Sequence, residues 1–179
     1  FASVLLGPLV LSFGDASTLG LAQMVSGVGM LAGSIVMSAW GGPKRRIYGV
    51  FGFIALIALG LLIMGLYPGA LAVTVGMFIM LFNVPLAAGP SQAIFQTKVA
   101  PDVQGRVFST RSMIARSMMP FAFLIAGPLA DMVFEPWMRE GGILAGTFIG
   151  KLLGVGPGRG IGLMYTISGL ALFIATAFA

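Results

Sequence analysis

Polar side chains are scarce in this sequence, so those that fall inside apolar runs are the ones placed to do chemistry. Gln23, Ser26, Met30, Ser34 and Met37 recur at intervals of three and four, which gathers them on one face of a helix. Further on, Asn83 is followed by Pro85, Gly89 and Pro90, with Gln92 and Gln96 about one turn apart. Each proline takes a rung out of the hydrogen-bond ladder, and the freed carbonyls need protein or water as partners. Amides, hydroxyls and thioethers recognise molecules; they do not cleave bonds by themselves. Gln23, Ser26, Met30, Asn83 and Gln92 are therefore candidates to line a polar cavity for a small amphipathic molecule. The competing reading is plain hydrogen bonding between helices.

Three arginines raise a separate question. Gly105–Pro120 reads GRVFSTRSMIARSMMP and carries Arg106, Arg111 and Arg116 at intervals of five. Helical steps of five turn about 140° each, so the three form no stripe, and a voltage sensor, which needs one, is excluded. Ser112 to Ala130 covers about 28 Å as a helix, close to one bilayer core. Arg106 and Arg111 then sit at the membrane edge as topology markers. Arg116 falls about 7 Å inside it, either snorkelling outward or facing the cavity and an anionic group.

Other chemistries fall away. The chain has no cysteine and no histidine, which removes disulfides, thiol catalysis, a histidine switch and metal sites built on those ligands. No carboxylate lies within an apolar span, and no serine has a histidine to activate it. GTFIGKL at 146–152 lacks the hydroxyl that a phosphate loop places after its lysine, and GVGMLA at 27–32 lies inside a charge-free run rather than after a strand. The expectation is a protein that is not an enzyme and uses no cofactor or metal.

The elements that must hold these residues follow from composition. Of 179 residues, 58% are hydrophobic and 8% charged, against about a quarter charged in soluble domains. Such a chain cannot clothe a water-facing surface, so the fold class is all-α integral membrane. The net charge of +5 is scattered between apolar runs rather than collected on one face, which argues against nucleic acid as a partner. A crossing helix needs about 20 apolar residues, and six runs qualify: 1–13, 19–40, 47–66, 70–96, 106–130 and 161–179. The first is short and already apolar at Phe1, so it is expected to be a truncated helix of a longer protein. Tyr67-Pro68-Gly69 is a turn between the third and fourth. Residues 141–154, with glycine at 142, 146, 150 and 154, are expected to form a short helix at the outer interface.

Charge gives the orientation. Lys44, Arg45, Arg46, Lys98, Arg106, Arg111 and Arg116 share one side, seven of the ten cations. The positive-inside rule puts loops 41–46 and 97–105 in the cytoplasm and 131–160 outside. Gly29 and Gly33 form a small-residue pair suited to close helix packing, and Pro85, Pro90 and Pro120 are expected kinks.

PSQAIFQTKVAPDVQGRVFS at 90–109, MMPFAFLIAGPLAD at 118–131 and the WGGPKRR that ends the second helix carry a family resemblance. The chain resembles the C-terminal six-helix half of a major facilitator superfamily transporter, in the macrolide-efflux-like and siderophore-exporter-like branch of drug–proton antiporters. The family's basic loop often carries an acid before its cations, and Ala39-Trp40-Gly41-Gly42 holds none. The resemblance implies alternating access around a midplane site, with the first, second, fourth and fifth helices facing the cavity and the third and sixth facing lipid. It implies a multi-pass protein of a bacterial inner membrane, whose partners are the bilayer, an N-terminal six-helix half, a small-molecule substrate and protons. Any proton-coupling carboxylate would lie in that other half. An importer on the same scaffold, or a membrane scaffold subunit, are the alternatives.

Overall fold

The computed structural model describes residues 2–67 and 69–178, and all secondary structure among them is helical. Helix α1 (Ala2–Leu11) is short; α2 (Ala16–Trp40), α3 (Arg46–Leu66), α4 (Ala70–Lys98) and α5 (Gln104–Leu129) are membrane-length. A π-turn (Ala130–Phe134) continues α5 into α6 (Glu135–Met138), and α7 (Phe148–Leu153) and α8 (Arg159–Ala177) complete the bundle. The result is an all-α six-helix bundle of five membrane-length helices and a short first one. Pro68, the centre of the expected turn before α4, lies outside the described residues.

Local chemistry sets the boundaries. The Asp15 carboxylate accepts the Thr18 amide at 2.9 Å and the Ser17 and Thr18 hydroxyls at 2.7 and 2.9 Å. This cap starts α2 three residues before Leu19. The same three donors hold the Asp15 carboxyl down at about 2, the amide contributing most. At the other end Gly41, at φ 75°, turns left-handed and closes α2 with an N–H to Met37 O. Pro85 and Pro90 both sit inside α4, and Pro120 and Pro128 inside α5. The helical path that begins with α5 continues unbroken from Gln104 to Met138, through Asp131. A charge ends a membrane span without ending a helix.

Residues 141–154 do not form the single interfacial helix expected from their glycine spacing. Only Phe148–Leu153 is helical, and 141–147 are turns and bends. Gly141 and Gly154 take φ of 81° and 83°, which side-chain-bearing residues rarely adopt. The glycines at 142 and 150 press on the carbonyls of Pro136 and Ala145, 2.5 Å from where a Cβ would stand. Gly142 serves a turn, and Gly150 lets α7 sit on the turn before it; neither forms a seam along one long helix.

Helix packing uses glycine elsewhere. A Cβ on Gly60 would lie 2.6 Å from Gly76 O, and one on Gly76 the same distance from Gly60 O, so α3 and α4 touch backbone to backbone. A Cβ on Gly29 would stand 3.1 Å from Phe78 O, and one on Gly33 closer still to Phe82 O, so these glycines seat α2 on α4. A Cβ on Gly65 would stand 2.5 Å from Gly162 O and one on Gly169 2.9 Å from Ala58 O, so these glycines seat α8 on α3. Lipid tails offer helices no hydrophobic drive to associate, so close approach and dispersion hold such seams. The core beneath them joins Leu5 and Leu9 of α1 to Met64, Val73, Met77, Met164 and Tyr165. Tyr165 donates its hydroxyl to Ala2 O and so ties α8 to α1.

The buried trio α3, α4 and α8 contrasts with α5. From Ser109 to Phe121 every α5 residue is exposed. The resemblance implied that the third and sixth spans are peripheral. In this bundle α3 packs against both α4 and α8, and residues such as Leu56 and Leu59 are left exposed on its outer flank.

Candidate functional site

A cavity of about 330 Å³ opens between the first four helices. Ala2, Ser3 and Leu6 of α1 form one wall, Gln23, Ser26 and Gly27 of α2 a second, and Met64, Met77, Met80 and Leu81 of α3 and α4 the rest. Gln23 stands about 11 Å along α2 from its start at Ala16. Ser26 is 1% exposed, and its hydroxyl donates to Gln23 O at 2.8 Å. Its oxygen lone pairs remain for a guest, beside the exposed Gln23 carboxamide. Three thioethers supply a polarizable wall that adapts to irregular apolar shapes. No lining residue is ionisable, so the cavity can solvate and orient a molecule but cannot exchange a proton with it.

The remaining candidates lie elsewhere. Met30, one turn beyond Ser26, is 46% exposed and outside this cavity. Asn83 is buried, but its Nδ2 donates to Ile79 O at 2.7 Å, a bond within its own helix. Gln92 lines a separate cleft of about 260 Å³ between α4 and α5, with Phe108, Arg111 and Ser112. Arg116 is exposed and lines neither that cleft nor the Gln23–Ser26 cavity.

Arg111, read from sequence as a topology marker, does more. Its Nη2 donates to Ser91 Oγ at 3.2 Å, and its guanidinium lies 4.3 Å from the centre of the Phe95 ring. It thus bridges α5 to the last turns of α4, at the end of the bundle where the cations gather. Arg106 shares with it an open cleft of about 610 Å³ that Phe95, Val107 and Ile114 make apolar. Lys44, Arg45 and Arg46 are exposed at the same end.

At the opposite end sequence reasoning missed a buried cation. Arg159, 5% exposed, donates from Nη2 to Gly65 O and Leu66 O at 3.2 and 3.3 Å, which closes the C-terminus of α3. Among the described residues its Nε has no partner. Glu135 stands across from it and attracts it. The Glu135 oxygens accept the Gly158 and Ile161 amides at 3.3 Å each, a cap on the start of α8. The signal was present: Arg159 sits between Gly158 and Gly160, and a Cβ on Gly160 would strike the Phe134–Glu135 backbone.

A bundle of five membrane-length helices defines a multi-pass membrane protein, here with a mostly apolar cavity that carries Gln23 and Ser26. Over 124 residues the chain is 32% identical to macrolide efflux protein A of Streptococcus pyogenes, a match covering 68% of this chain and 30% of that protein. Over 94 residues it is 35% identical to macrolide efflux protein A of Enterococcus faecalis, covering 51% and 29%. The chain thus spans about 30% of the length of the curated relatives it matches. It is a relative of part of these efflux proteins, in agreement with the resemblance carried by its 90–131 region. No family model and no solved structure matches it at the same stringency.

Proposed function

We propose that the chain is the second six-helix half of a major-facilitator-type exporter that moves amphipathic small molecules outward by alternating access, at the expense of a proton gradient. The observation that carries this reading is the similarity to the macrolide efflux proteins over two thirds of the chain. The cavity supports it, since hydroxyl, carboxamide and thioether groups suit a large, weakly polar guest better than a small ion. At about 330 Å³ it holds part of such a guest. The uncovered flank of α5 from Ser109 to Phe121 is where the first half would complete the enclosure. With no ionisable group in the lining, the proton-carrying carboxylate belongs to that first half. The membrane is the bacterial plasma membrane, with the cationic end inward.

The test uses the full-length protein in cells loaded with a fluorescent amphiphile or a labelled macrolide. Expression lowers accumulation, and an uncoupler restores it. Gln23→Leu and Ser26→Val each reduce export severalfold while insertion is unchanged. Accumulation that is indifferent to expression for every amphiphile tried would refute export; indifference to the uncoupler alone would refute proton coupling.

A further inference from the structure

The connection between α2 and α3 meets the end of α4 in a cleft that the transport reading does not use. Lys44, Arg45 and Arg46 stand on one wall and Lys98 on the other, around a volume of about 600 Å³. No carboxylate lines it. All four cations are exposed. Arg46 Nη1 reaches across to Ala93 O at 3.4 Å and so fixes the two walls relative to each other. The Arg45 guanidinium lies 5.9 Å from the centre of the Tyr48 ring, poised over it. Lys44, Arg45 and Lys98 keep donors free for something that enters.

Beside these charges the lining is apolar: Ile47 and Tyr48, 59% and 70% exposed, face Ile94. Like charges so placed repel, and a bound anion relieves that repulsion. A soluble anion would satisfy the cations and leave Ile47, Tyr48 and Ile94 unused. A guest that uses both has an anionic head and an apolar body, and meets the protein where the apolar spans of α3 and α4 give way to cations. That describes a phospholipid. The charge argues for an anionic one, because basic clusters at the cytoplasmic edge of membrane helices attract such headgroups.

We propose that the cleft formed by Lys44, Arg45, Arg46 and Lys98 with Ile47, Tyr48 and Ile94 is a binding site for the headgroup and upper chain of an anionic phospholipid. Occupancy clamps the α2–α3 connection to the end of α4. The site is independent of the transport reading and would stand if that reading failed.

The measurement is lipid retention by the purified full-length protein, read by native mass spectrometry during titration with phosphatidylglycerol or phosphatidylcholine. Each basic side chain at an anionic surface is worth a factor of about five in affinity. Arg45→Gln/Lys98→Gln therefore weakens phosphatidylglycerol about 25-fold and leaves phosphatidylcholine unchanged. Lys151→Gln, at the opposite end, has no effect, and Arg45→Lys/Lys98→Arg retains binding. The neutral double variant keeps Lys44 and Arg46 as topology signals. Should it still fail to insert, the wild-type protein decides: molar salt must strip phosphatidylglycerol selectively. Equal retention of both lipids, retention in molar salt, or an unweakened neutral variant overturns the proposal. Displacement of the lipid by millimolar inorganic phosphate does so too, since it would make free phosphate the ligand.

Discussion

Replacing Gly60 with alanine probes the bundle where its backbones are closest. The new Cβ would stand 2.6 Å from Gly76 O, where ordinary contact begins at 3.4 Å, and also 3.2 Å from Met80 N. The obstacle is main chain, so no side chain can swing aside. Helices α3 and α4 must part by about 0.8 Å along a seam that Gly76 repeats in reverse. Overpacking of this kind costs roughly 1–3 kcal/mol. Gly52→Ala on the same helix is the control, because nothing lies within 4 Å of its Cβ. It changes helix propensity alone and gains up to about 1 kcal/mol. Both variants share that gain, so denaturant or SDS unfolding in micelles should separate their stabilities by the overpacking cost alone, about 1–3 kcal/mol. The double variant Gly60→Ala/Gly76→Ala should cost less than twice the single one, since one separation accommodates both. Coincident unfolding of Gly60→Ala and Gly52→Ala would refute the claim that backbone contact sets the α3–α4 distance.

Asp15 makes its cap as a carboxylate, with its pKa lowered from 3.8 to about 2. The capping contribution is thus complete above about pH 4 and disappears as pH falls through about 2; faster exchange of the Thr18 amide over that interval checks it, and Asp15→Asn should flatten the response. Arg159→Leu leaves the Gly65 and Leu66 carbonyls unpaired at about 1–3 kcal/mol, and Arg159→Lys should recover only part of this, both read as thermal stability in detergent. Arg111→Gln removes the bond to Ser91 and the contact with Phe95, and should raise α4–α5 spin-label distances or their spread, whereas Arg116→Gln should change neither.

The spans were legible because membrane crossing imposes a length on apolar runs, and loop charge then fixes which ends lie together. The distance between helices was legible at Gly29 and Gly33, where small residues recur every four. The same spacing misled at 142–154, because a helical seam and a series of tight turns both need small residues and only φ tells them apart. Among the arginines, position along a span speaks only to depth, and depth does not say what a guanidinium reaches. Arg111 finds Ser91 and Phe95 only because α4 and α5 converge there, a fact of tertiary structure. The Gln23–Ser26 half of the cavity was visible as one helix face. Met64, Met77 and Met80 were invisible as its other half, since a methionine facing a cavity and one facing a core look alike in sequence.

The π-turn at Ala130–Phe134 holds one more residue than an α-helical path would need. Deleting a single residue there, such as Met132, would restore an α-helical register and swing everything beyond it by about 100°. Glu135 would then leave the Gly158 and Ile161 amides that it now accepts, and Met138, now fully buried, would turn out of its core. A single-codon deletion would leave hydropathy almost untouched and still undo the lock that joins α6 to α8. Alignments of related chains across this segment should therefore be gapped by the position of that acid and not by apolar character.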